Sequence, residues 1–110
     1  MSYMDKIKIY GMDLDYIDSV SPFELIGTLV IRDELEGNYD KLSNEEKILL
    51  KQNDKKLLKN AKRFYEALKE VYHFQNRKPH GYWWSNLDLV VSGKIRVDLN
   101  RTDTYERYMA

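Results

Sequence analysis

The chain has 110 residues, 43% of them hydrophobic, which suits one domain around one modest core and excludes a second domain or a large closed substrate cavity. It has no cysteine, which excludes disulfides, thiolate nucleophiles, cysteine-ligated zinc and iron–sulfur clusters, and fits a reducing compartment. The formal charge is zero but uneven: residues 1–40 carry nine acids and three bases, residues 41–80 carry five acids and eleven bases, and residues 81–110 carry four of each.

Opposite charges on neighbouring elements attract, so the acidic and basic stretches are expected to pack together and compensate. Met1 to Tyr10 lacks an apolar run of signal-peptide length, and the apolar-rich stretch Phe23–Ile31 is interrupted by Glu24, Gly27 and Thr28. That stretch is also far short of the roughly 20 residues that cross a bilayer. The expectation is a soluble, cytoplasmic protein without membrane contact.

In chain order, residues 5–18 alternate apolar and polar side chains, with Ile7 and Ile9 before Gly11 and Met12, Leu14 and Tyr16 after it. Period two predicts short strands with a turn at the glycine. Ser21-Pro22-Phe23-Glu24 reads as a capping box with proline at the first helical position, and predicts a helix over 22–36 that stops at Gly37 in a left-handed cap. Ser43-Asn44-Glu45-Glu46 opens a second helix over 43–73. Its apolar stripe runs through Leu50, Leu57, Ala61, Phe64, Leu68 and Val71 and thins at Asn53-Asp54, where a bend is expected.

A polar loop with Pro79 leads to a third helix over 82–92, stopped by Gly93. Lys94–Leu99 alternates as a strand that could pair with Lys6–Tyr10. The fold class that emerges is mainly α, three helices with a possible small two-stranded sheet joining the ends. Residues 1–99 form the domain and 100–110 a flexible tail.

Four features could carry chemistry. Asp13, Asp15 and Asp18 are the densest acids, but no glycine or distal glutamate follows in calcium-loop register, so they read as solvated side chains. His73 and His80 are seven apart, not the four of a helical metal pair, and read as structural. No nucleophile elbow, phosphate-binding glycine loop or metal motif is found, so neither a catalytic residue nor a cofactor is assigned.

The long helix carries Lys51, Lys55, Lys59, Lys62 and Arg63 opposite its stripe, a face that could neutralise phosphates. Finally, Tyr82-Trp83-Trp84 places two indoles about 100° apart on a helix, so Trp83 fits the core stripe and Trp84 is left exposed or covered by a partner. With Tyr82, Tyr65 and Tyr72 it would form an aromatic contact surface. The function expected is a non-enzymatic interaction protein, regulatory, adaptor or inhibitor in kind, binding another protein or itself as a homodimer. Nucleic-acid binding through the lysine face is the alternative.

Overall fold

The first helix is opened by Ser2, whose hydroxyl accepts the Asp5 amide at 3.1 Å while the Asp5 carboxylate accepts the Ser2 amide at 3.4 Å. The computed structural model describes residues 1–72 and 81–99, and α1 spans Tyr3–Asp15. The strands expected over 5–18 are therefore a helix. Ile7, Tyr10, Leu14 and Ile17 recur in steps of three and four and are buried, whereas Met12 and Tyr16, which completed the alternation, face outward.

Helix α2 spans Pro22–Gly37, close to its expected bounds, with the Ser21 hydroxyl accepting the Glu24 amide at 3.2 Å. Its end differs from expectation. Gly37 does not take a positive φ; the helix closes at Asn38, whose Nδ2 donates to the Glu34 carbonyl at 2.8 Å. A short 3₁₀ turn, Tyr39–Lys41, leads to α3, Asn44–Lys59, which carries a complete capping box between Ser43 and Glu46.

The single long helix expected over 43–73 is two helices. The chain leaves helical geometry at Asn60 (φ −109°, ψ 19°), whose side chain caps the Lys56 carbonyl at 2.9 Å, and α4 then spans Ala61–Leu68. At Asn53-Asp54, where the stripe thins, α3 runs on without a break, and both side chains are buried and bonded to other helices from its middle.

The third helix over 82–92 is likewise divided. Trp83–Ser85 is a 3₁₀ turn, Asn86 is buried with its Nδ2 donating to the Tyr82 carbonyl at 3.0 Å, and α5 is Leu87–Val91. Gly93 stops α5 as expected, at φ +79°, and its amide and that of Lys94 donate to the Val90 and Leu89 carbonyls. Among the described residues there is no strand, so the two-stranded sheet does not form: Lys6–Tyr10 lies in α1, and residues 94–99 are irregular, with Val97 and Leu99 partly buried against the core. His73, Pro79, His80 and the 100–110 tail lie outside the described residues.

Side-chain pairs fix the helix directions. Lys6 meets Glu34 and Asp13 meets Thr28, so α1 and α2 are antiparallel. Ile7 meets Asn53, Tyr10 meets Asp54 and Asp15 meets Lys56, so α1 and α3 are parallel. Two parallel neighbours need a crossover, and α2 with its following turn supplies it. The core between them includes Ile7, Leu25, Leu50, Phe64 and both tryptophans. Gly11 lets α1 approach α3 closely, since a Cβ there would lie 2.6 Å from the Asn53 side-chain oxygen.

Candidate functional site

The side chains expected to carry function occupy three different settings. Trp84, expected at the surface, is fully buried by the chain itself. Its indole N–H donates to Asp33 at 2.7 Å, its ring meets Trp83 edge-on at 5.6 Å, and the Arg32 guanidinium lies 3.9 Å from its centroid. The 3₁₀ turn is sunk so far that Trp83, Trp84, Ser85 and Asn86 are all covered, and two rings that point apart can both be interior. Tyr82, Tyr65 and Tyr72 are half-buried and packed on the core, so the four residues form no exposed aromatic surface.

Beneath Trp84 lies a polar network inside the apolar core. Arg32 from α2 is fully buried; its Nε and Nη2 donate to the two oxygens of Asp54 at 2.9 Å each, and its Nη1 donates to Glu36 at 3.1 Å. The Tyr10 hydroxyl donates to Asp54 Oδ1 at 2.7 Å. Burial opposes the Arg32 charge, but the Asp54 carboxylate outweighs it, and the guanidinium is held more firmly protonated than usual. Burial and the Asp54 charge raise the Tyr10 phenol well above its ordinary range, against the smaller pull of Arg32. Tyr10, Arg32 and Asp54 are each matched by a group from a different helix, while Glu36 joins Arg32 within α2, so the network orders α1, α2 and α3 relative to one another.

The charged surface divides in two. Asp13 accepts the Thr28 hydroxyl at 2.7 Å, Asp15 pairs with Lys56 at 3.1 Å, and Asp18 pairs with Arg63 at 2.5 Å. Asp15 and Asp18 of the acidic first segment thus neutralise Lys56 and Arg63 of the basic second segment, as the charge distribution implied. They do not converge, and among the described residues no group of three potential metal ligands is found. Arg63 therefore belongs to an ion pair, whereas Lys51, Lys55 and Lys59 make no ion pair among the described residues and Lys62 lies in the field of Glu66.

A groove along α1 and α3 was not foreseen. Two adjoining hollows of about 350 and 290 Å³ share Lys8 and Leu49 and run from Met4 and Glu45 to Asp15 and Lys56. The parallel helices create it: positions 4, 8 and 12 of α1 face 45, 48, 49 and 52 of α3 across the seam. Met12 is 59% and Ile48 60% exposed. Phe23 and Val30 are also exposed, but on the outer ridge of α2. The groove offers sulfur and aliphatic carbon, with a lysine at its centre and an ion pair at one end. The available signal was the pairing of Met4, Met12 and Ile48 with helical spacing, which becomes visible only once residues 3–15 are known to be helical.

No helix among the described residues is long and apolar enough to cross a membrane. No protein-family model, curated protein or solved structure matches this chain.

Proposed function

We propose that this protein is a non-enzymatic helical interaction module, regulatory, adaptor or inhibitor in kind, whose contact surface is the α1–α3 groove. The supporting observation is the concave apolar seam with Met12 and Ile48 at its lip. An amphipathic helix laid in such a groove covers apolar surface at i, i+3, i+4 spacing, and methionine side chains adapt to the shape that enters. The aromatic surface first expected is replaced as the anchor, since Trp84 is interior. The test is capture from nuclease-treated source-cell lysate with wild type and Ile48→Asp. A protein retained by wild type and lost by the variant, with unchanged helical circular dichroism, supports the reading. Retention by both rejects the groove.

A second reading rests on a separate observation. Lys51, Lys55, Lys59 and Lys62 follow one another at steps of three and four along α3 and α4, and the first three are unpaired among the described residues. Such a stripe suits phosphates. Binding to a nucleic acid that weakens with salt and disappears in the Lys55→Glu/Lys59→Glu/Lys62→Glu variant supports it; binding indifferent to those changes rejects it.

A further inference from the structure

We infer that the occupant of the α1–α3 groove is a second copy of this chain, related by a two-fold axis that sets the two α3 helices antiparallel. The inference rests on the interaction reading of the groove and adds the identity of what covers it. It comes from the charge order along the outer ridge of α3. At helical spacing that ridge reads Glu45, Ile48, Gln52, Lys55 and Lys59, and all five side chains are exposed. An acid stands at one end, apolar and amide groups in the middle, and lysines at the other end.

A two-fold interface needs a patch complementary to itself. Reversing this ridge about a point level with residue 50 lays Glu45 against Lys55 of the partner subunit, twice. Glu45 and Lys55 make no ion pair within the chain among the described residues, so both are available. Ile48 then lies within about one helical turn of the axis, where it meets the groove floor formed by Met4 and Leu49 and the exposed Met12 at its lip. The helix dipoles of the two α3 segments also oppose one another favourably. A uniformly acidic ligand would be repelled by Glu45 and a uniformly basic one by Lys8, Lys55 and Lys59, whereas the same ridge reversed pairs Glu45 with Lys55 at both ends of the contact and leaves Lys59 beyond that pair.

The contact is small. Sixteen residues of α3 give a face about 24 Å long, with α1 about 9 Å to the side. A contact of that length lies at the small end of specific interfaces, and a weak dimer is expected.

The experiment is sedimentation velocity on the full chain from about 1 to about 500 µM, a range suited to a weak dimer. Wild type, Ile48→Asp, Glu45→Lys and the double variant Glu45→Lys/Lys55→Glu are compared, each checked for native circular dichroism. The expected result is a concentration-dependent dimer in wild type and a monomer for Ile48→Asp. Glu45→Lys should weaken the dimer about tenfold or more, and the double variant should recover it. A wild type that stays monomeric throughout overturns the inference, as does a dimer untouched by Ile48→Asp or one that the charge swap fails to rescue. The capture experiment separates this failure from that of the groove: a monomeric wild type whose protein partner is still lost with Ile48→Asp leaves the groove reading standing.

Discussion

Arg32 and Asp54 face each other edge to edge, Nε to one carboxylate oxygen and Nη2 to the other, both at 2.9 Å and both residues buried. A guanidinium in a core is tolerated only when its donors are matched, and Glu36 takes Nη1 while the Trp84 ring covers the plane.

Removing that cation takes the guanidinium from two buried carboxylates, Asp54 and Glu36. Arg32→Leu should therefore lower the unfolding free energy by roughly 3–5 kcal/mol. Arg32→Lys should recover little of it, because an ammonium cannot make the paired bonds or stack on the indole. Urea unfolding followed by circular dichroism reads both; a wild-type midpoint for Arg32→Leu would contradict the network.

The raised Tyr10 phenol gives a pH dependence of definite sign. The folded state holds the proton above the unfolded value of roughly 10, so the stabilisation is intact below that pH and is lost as pH rises towards the folded value. Thermal unfolding should fall off above about pH 10. Tyr10→Phe should flatten that slope while costing about 1–2 kcal/mol at neutral pH, since Asp54 loses one donor and keeps Arg32. Phenolate absorbance should show one tyrosine that ionises only with unfolding.

Two helical glycines should respond oppositely to alanine. At Gly27 a Cβ meets nothing within 4 Å, so Gly27→Ala should stabilise by about 0.5–1 kcal/mol through helix propensity. At Gly11 it would meet Asn53 atoms at 2.6–2.8 Å, and Asn53 is held by its bond to the Ile7 carbonyl. Gly11→Ala should destabilise by about 1–3 kcal/mol despite the better propensity. Thermal melts of the two variants check the pair, and a shared direction would contradict the close approach of α1 and α3.

Trp84→Ala should act as a core deletion, lowering stability by about 3–5 kcal/mol. It also leaves Asp33 without the indole donor and Arg32 without its covering ring. Chemical unfolding measures this; a variant with native stability would return Trp84 to the surface.

What the chain order disclosed was local. Ser21-Pro22 and Ser43 marked two helix starts, Gly93 marked an end, and the acid-to-base gradient implied contact between the two stretches, which Asp15–Lys56 and Asp18–Arg63 make. The first helix was hidden because Met12 and Tyr16 are apolar yet exposed, which made a helical 7, 10, 14, 17 pattern look alternating. The Ser2 and Asp5 cap was the cue that could have decided it. The polar core was illegible for a different reason: Tyr10, Arg32 and Asp54 are separated by 22 and 44 residues, and each reads alone as an ordinary surface group. Asn53-Asp54 registered only as a gap in a stripe, though it is the point to which α1 and α2 both bond. The groove shared that fate, since it exists between two helices of which one was read as strand.

The parallel pairing of α1 with α3 bears on how the chain comes together as it is made. The α1–α2 hairpin can close early, through Asp13 and Thr28 only 15 residues apart. Yet the Ile7 carbonyl and the Tyr10 hydroxyl find Asn53 and Asp54 only 46 and 44 residues downstream. A nascent chain that ends after α2 holds Arg32 without Asp54 and Tyr10 without its acceptor, with charge and hydroxyl facing into an unfinished interior. The hairpin is therefore a dependent fragment, and the helix synthesised first is secured only when the third arrives.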